Sequence, residues 1–221
     1  MRIQNGQWLL REGMATFSPS EICEIRETNR EDHGQMSEEL CLFMPCQHIQ
    51  HKGQTLGGVV LELYLSTPAP GVIRLRTVHH RGVTEKKPQF KLKHEGPAKL
   101  NWGETDELVF VRSGDLQCTV NKQSGEVTFL HDEKVITRSS GRDIAYVKKD
   151  YTGEFYDRAE PGTSFMRQQL DLGVGELIYG MGEQFTPFVK NGQSVYIWNE
   201  DGGTSTDQSY KNIPFYLSTA G

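Results

Sequence analysis

The sequence predicts an all-β protein, a large antiparallel β-sandwich, on three observations. Short apolar runs alternate with polar residues at a period of two, clusters of Gly, Pro, Ser and Asp separate those runs at hairpin spacing, and no stretch requires a helix of ordinary length. Bulky residues on one side of each strand would then fill the space between two sheets.

Taken in order, Trp8-Leu9-Leu10 and Ile22-Cys23-Glu24-Ile25 read as two short strands separated by the turn chemistry of Phe17-Ser18-Pro19-Ser20, the first at a sheet edge. Residues 28–54 turn polar, through Glu31-Asp32-His33-Gly34 and Gln47-His48-Ile49-Gln50-His51. They are expected to form a long connection carrying one strand near Leu40-Cys41-Leu42-Phe43. Residues 57–65 and 72–78 give the clearest strands: Leu61, Leu63 and Leu65 alternate with Glu62 and Tyr64, and Ile73, Leu75 and Thr77 alternate with Arg74 and Arg76. The linker Ser66-Thr67-Pro68-Ala69-Pro70-Gly71 excludes a helix between them, so they form a hairpin with one wet face. Residues 81–97, rich in Lys and carrying Pro88 and Pro97, read as a surface excursion.

A meander follows. Leu108-Val109-Phe110-Val111, then Leu116, Cys118 and Val120, then Val127-Thr128-Phe129-Leu130, then Val135-Ile136-Thr137 are strands joined by turns at Ser113-Gly114-Asp115 and Gln123-Ser124-Gly125. Tyr196-Ile197-Trp198 and Phe215-Tyr216-Leu217 are β-formers in the last third, and residues 206–211 allow a single helical turn before Pro214.

Bulk properties exclude several classes. With 221 residues, 36% hydrophobic, 24% charged and 10% aromatic, the chain is ordinary for a globular protein that buries a sizeable core as one domain, 1–221. Its net charge of −5 repels a polyanion, which argues against nucleic acid. No signal-like N-terminus and no run of about 18 apolar residues occurs, so a cytoplasmic protein with no membrane partner is expected. Cys23, Cys41, Cys46 and Cys118 form no framework and are read as reduced thiols.

The densest chemistry lies in residues 170–217. Tyr179-Gly180-Met181-Gly182-Glu183 is followed by Trp198-Asn199-Glu200-Asp201-Gly202-Gly203-Thr204-Ser205-Thr206 and then by Tyr210-Lys211-Asn212-Ile213-Pro214-Phe215-Tyr216. Paired glycines permit positive φ and close backbone approach, so these read as short strands ending in tight turns, with Asp201 at the end of one. In order and spacing the three motifs resemble the N-terminal domain of glycoside hydrolase family 31, and within it the bacterial α-xylosidases. Residues 1–163 resemble that domain only in strand rhythm and in Asn5-Gly6-Gln7-Trp8-Leu9. Met181 stands where many relatives carry Leu, a volume-conserving change.

The resemblance implies a galactose-mutarotase-like sandwich followed by a catalytic (β/α)8 barrel. Such a barrel needs about 250 residues, so the chain is expected to be a domain cut from a longer retaining α-glycosidase whose nucleophile and acid/base, both barrel aspartates, lie beyond residue 221. The implied partners are an α-xyloside or α-glucoside and that barrel, without cofactor or metal. The matching aspartate of the family's loop reaches into the barrel pocket, which assigns substrate contact to Asp201, with Gly202 and Trp198 beside it.

Each candidate has a plainer reading. Asp201 before Gly202 can bond its own backbone in a turn, and Trp198, like the Phe185-Thr186-Pro187-Phe188 patch, can fill a core or an interface instead of stacking on a sugar. A glycosidase carboxylate pair needs about 5 to 5.5 Å separation for retention, and the adjacent Glu200 and Asp201 point to opposite faces of a strand. Glu183 reads as structural. Gly173-x-Gly175 and Gly180-x-Gly182 lack the rest of a dinucleotide fingerprint. Cys46-x-His48-x-x-His51 has zinc-like spacing but no second pair of ligands. Two other functions stay open: a free-standing sugar-binding module, and an epimerase in which His79, His80 or His131 works with Glu183 as acid and base.

Overall fold

Fourteen strands occur in the computed structural model, which describes residues 10–32, 34–79, 96–149, 164–200 and 209–221. They are β1 (Met14–Phe17), β2 (Glu24–Asp32), β3 (Gln35–Pro45), β4 (Val60–Ser66), β5 (Arg74–Val78), β6 (Asn101–Glu104), β7 (Leu108–Ser113), β8 (Leu116–Asn121), β9 (Val127–His131), β10 (Lys134–Ser139), β11 (Ala145–Lys149), β12 (Ser164–Arg167), β13 (Ile178–Gly182) and β14 (Asn212–Ser218). Among the described residues the only helix is one 3₁₀ turn, Lys52–Thr55. None is long and apolar enough to cross a membrane. The chain divides into two compact units, Met1–Asp171 and Leu172–Gly221.

The first unit is a sandwich. One sheet has the order β2-β3-β4-β5 and the other β10-β9-β8-β7-β6, with all neighbours antiparallel. Period-two alternation places Leu40, Leu42 and Met44 of β3 directly opposite Leu65, Leu63 and Leu61 of β4, and all six are fully buried. They pack with Val109 and Val111 of β7, Cys118 and Val120 of β8 and Val127 of β9. A third sheet, β1-β11-β12, adds buried Ala145 and Val147.

The opposite face of β3 and β4 mixes charge with Cys41, Phe43 and Tyr64. Glu39 is 1% exposed and is held by Arg76 at 2.9 Å and Arg74 at 3.3 Å. The Arg76 guanidinium lies 4.2 Å from the centroid of the Tyr64 ring, and the Tyr64 hydroxyl donates to the Glu62 carboxylate. Burial, with that carboxylate beside it, pushes the Tyr64 phenol well above its ordinary value. The face expected to be wet lines an open groove whose floor is ionic, where the buried Glu39 carboxylate is compensated by two partly exposed guanidinium groups.

The predicted all-β antiparallel fold is the one observed. The strands at residues 57–65, 72–78 and 108–137 lie close to where alternation put them, with turns at Gly114 (φ 62°) and Gly125 (φ 68°). The sequence reading differs at residues 28–54, where β2 and β3 form one long hairpin closed at Gly34 (φ 83°) instead of a connection. Thr28, Asn29, Arg30 and Glu31 hide this strand from apolar periodicity because it lies at a sheet edge among charged neighbours. The short strands β1, β6, β11 and β12 were not expected either. Conversely, Tyr196-Ile197-Trp198 pairs with no strand among the described residues, and of the segment expected to form a helical turn the described part, residues 209–211, is a bridge and a bend. Trp8-Leu9, most of the 81–97 excursion and residues 206–208 lie outside the described residues.

All four cysteines are free thiols. Burial pushes Cys46 and Cys118 up to about 12, which keeps both protonated at neutral pH.

Since Leu63 is fully buried at the centre of the sandwich, Leu63→Ala should lower the unfolding free energy by about 2–5 kcal/mol, read from urea denaturation. Val60→Ala on the same strand, at a site 37% exposed, should cost less than about 1 kcal/mol. Equal losses at the two positions would contradict this placement of the core.

Candidate functional site

The site predicted in residues 170–217 is built on the second unit, whose frame is the β13–β14 hairpin. Ile178, Tyr179 and Gly180 pair with Ser218, Leu217 and Tyr216, and after a register shift Gly182 pairs with Asn212. Three successive residues produce that shift: Gly180 (φ 111°), Met181 (φ 70°) and Gly182 (φ 85°). A Cβ at Gly180 would stand 2.6 Å from the Phe215 carbonyl oxygen, and one at Gly182 would overlap the Lys211 carbonyl. Only glycine fits both positions, which is the physical content of the Gly-x-Gly motif. Met181 matters for its backbone more than its volume, because an unbranched side chain sits here in the left-handed region.

Past the shift, polar side chains clamp the two chain ends that flank residues 201–208. The Asn212 backbone N–H donates to Asn199 Oδ1 at 2.8 Å, and Asn212 Nδ2 donates to the carbonyls of Trp198 and Ser209, both at 2.7 Å. Gln184 Nε2 donates to Asn212 Oδ1 and, at 2.9 Å, to the Met181 carbonyl. The Glu200 N–H donates to the Ser209 carbonyl at 3.1 Å, and Asn199 bridges Ser209, which is 2% exposed. Asn199, Ser209 and Asn212 thus fix the positions of residues 200 and 209 relative to each other. Sequence reasoning used both asparagines only as parts of a motif. Their signal was the habit of Asn side chains of bonding nearby backbone where regular pairing stops.

Of the predicted substrate residues, Trp198 stands at this neck with its side chain outward, 71% exposed, while Asp201 and Gly202 lie outside the described residues. The Glu183 N–H donates to the Lys211 carbonyl at 2.9 Å and its exposed carboxylate meets Lys211 Nζ at 3.3 Å. The histidines weighed with Glu183 are engaged elsewhere. His79 Nδ1 lies 3.1 Å from the Val60 carbonyl oxygen with its ring 4.3 Å from that of Tyr146, and His131 sits beside Asp132; His80 lies outside the described residues.

Residues 183–193 form a knot of side chain to backbone bonds. Lys190, only 8% exposed, donates from Nζ to Thr186 Oγ1 and to the Pro187 carbonyl, both at 2.9 Å. Asn191 accepts from the Ile178 N–H at 2.8 Å and donates to the Glu176 carbonyl at 2.9 Å. The Ser218 hydroxyl and the Gly173 N–H, which donates at 2.7 Å, hold the Glu176 carboxyl below its ordinary value. Beside these polar bonds, large apolar side chains of the unit stay exposed: Phe188 is 78% exposed, Tyr196 68% and Phe215 62%, and Tyr210, Ile213, Tyr216 and Leu217 are exposed with them.

The zinc-like run does not assemble. Cys46 is protonated by burial, and His48 pairs with Glu21 at 3.0 Å. Among the described residues the one set of side chains within metal-binding reach is the exposed trio Asp115, His131 and Asp132.

Comparison with known proteins agrees with this architecture. The model of the glycosyl hydrolase 31 N-terminal galactose mutarotase-like domain matches residues 62–221. An alpha-xylosidase of Emericella nidulans is 35% identical and the alpha-xylosidase XylQ of Lactiplantibacillus pentosus 33%; both align with the whole chain, which spans 29% and 27% of their lengths. In structure, the cycloalternan-forming enzyme from Listeria monocytogenes, solved with a pentasaccharide substrate, superposes with a TM-score of 0.60 over 93% of this chain and 17% of its own, at 17% identity. A GH31 dextranase of Flavobacterium johnsoniae, complexed with glucose, gives a TM-score of 0.58 over 91% of this chain and 21% of its own, at 15% identity. At such identities the superpositions speak for the fold, whereas the family match runs through the glycine motif, the neck and β14. The chain belongs to glycoside hydrolase family 31, as its N-terminal galactose mutarotase-like domain.

Proposed function

We propose that this chain is the non-catalytic N-terminal domain of a retaining α-glycosidase, an α-xylosidase, which braces the catalytic barrel and lends the substrate pocket the segment carrying Asp201. The observation that carries the reading is the aromatic surface around a rigid neck. Trp198 and Tyr210 at the neck and Phe215 and Tyr216 on the two faces of β14 are all exposed, while the neighbouring asparagines bond backbone, and so many large apolar groups left in solvent mark an interaction surface. The length of the α-xylosidase relatives supplies an occupant, since most of each lies outside the matched part.

On this reading the barrel covers the hairpin's apolar side chains, and the neck presents Asp201, Gly202 and Trp198 toward an α-xyloside or α-glucoside. Asp201 accepts a hydrogen bond from a sugar hydroxyl, Gly202 permits the close backbone approach and Trp198 offers a ring to C–H groups. Cleavage uses two barrel aspartates and no metal. Residues 1–221 act as one domain, with the substrate segment at 179–217; the family match, which extends through both compact units, supports this. The four free thiols suit a reducing, cytoplasmic setting.

Two outcomes are expected. The purified 221-residue chain should hydrolyse no aryl α-xyloside above a no-enzyme blank, and turnover that persists through purification would refute the non-catalytic assignment. In the full-length enzyme, Asp201→Ala removes an acceptor whose hydrogen bond contributes about 1.5–3 kcal/mol, so kcat/KM should fall about 10-fold to 150-fold with little change in Tm. A variant that melts several degrees lower while keeping its kcat/KM would make Asp201 a turn residue and remove it from the pocket.

A further inference from the structure

The first unit holds a groove that the hydrolytic reading does not use. It lies where the two sheets of the sandwich meet at their edge strands, β2 and β6, and encloses about 380 Å³, within the range of about 300–1,000 Å³ common to small-ligand clefts. Its wall is Trp102. The indole packs against the hydrophobic core, and its Nε1–H donates to Glu27 Oε1 at 2.7 Å, which fixes the orientation of the ring. Among the described residues no aromatic ring or cation stacks on it.

Polar groups with unused capacity surround that ring. Glu27 spends one carboxylate oxygen on Trp102, and Glu38 spends one on the Leu100 N–H at 3.1 Å; the second oxygen of each takes no hydrogen bond among the described residues. The Asn29 side-chain amide and the Lys99 ammonium, also in the lining, have no hydrogen bond or ion pair among the described residues. The groove therefore offers donors from Asn29 and Lys99, acceptors from Glu27, Glu38 and Asn29, and a fixed apolar plane. A phosphate or other anion would face two carboxylates against one ammonium. A sugar ring suits all three elements, because its hydroxyls both donate and accept while its C–H face lies on an indole.

We propose that this groove is a carbohydrate-binding site for a neutral oligosaccharide, with Trp102 as the stacking platform and Asn29, Lys99, Glu27 and Glu38 as the hydroxyl partners. It goes beyond the proposed hydrolytic role and stands independently of it. The site is complete within the first unit, so the 221-residue chain binds the sugar without a barrel.

The test is a titration of the ¹⁵N-labelled chain with xylohexaose, maltohexaose and cellohexaose, following the Trp102 indole N–H, assigned through Trp102→Phe. At least one hexasaccharide should shift that signal saturably, with a Kd on the order of 1 mM, while inorganic phosphate leaves it unmoved. The double variant N29A/K99A, altered only at exposed side chains, should keep its Tm and bind about tenfold or more weakly. The proposal is overturned if none of the three sugars moves the signal at about 10 mM, if phosphate moves it as the sugars do, or if N29A/K99A binds like the unaltered chain. Loss of folding in Trp102→Phe leaves the decision to N29A/K99A. Aryl α-xyloside hydrolysis by the full-length enzyme is measured separately, so the two readings fail separately.

Discussion

Removal of one leucine-rich face from water is the constraint on which the first unit depends. Leu40, Leu42 and Met44 stand opposite Leu65, Leu63 and Leu61 in register, so a slip of one residue between β3 and β4 would turn the row outward and bring Glu39, Cys41 and Phe43 against the other sheet. At about 25 cal/mol per Å² of apolar surface buried, no surface ion pair competes with the preference for one register. The charged layer of Glu39, Arg74 and Arg76 lies on the other side of the same strands and reinforces that choice, because the wrong register would bury it unpaired.

The second unit obeys a different constraint. Its hairpin is held by backbone geometry and polar bonds, with three successive positive φ angles at Gly180, Met181 and Gly182 and the Asn199–Asn212 clamp, while its large apolar side chains remain outside. Such an arrangement forgoes the free energy of burial. A partner surface would recover it, and the proposed function assigns that surface to a catalytic barrel.

What was legible in the sequence follows the same division. Where one strand face is apolar and the other polar, as in β4, β7 and β8, alternation located the strands to within a few residues. Where both faces carry charge, as along Thr28-Asn29-Arg30-Glu31, hydrophobic periodicity had nothing to detect, although those residues form an edge strand pairing all along β3. Tyr196-Ile197-Trp198 failed in the opposite sense: its β-forming residues find no strand partner among the described residues, and Asn212 bonds the Trp198 carbonyl instead. The spacing of three motifs led to the right family, but the neck residues Asn199, Ser209 and Asn212 act through side chain to backbone bonds that no periodicity encodes.

The central claim is that the exposed aromatic side chains of the neck and of both faces of β14 are covered in the complete enzyme. Hydroxyl-radical footprinting of Trp198, Tyr210, Phe215 and Tyr216, compared between the 221-residue chain and the full-length polypeptide, tests it most directly. All four are exposed here and should react readily in the short chain. The account predicts strong protection of Phe215 and Tyr216 in the full-length enzyme, and equal reactivity in the two proteins would contradict it.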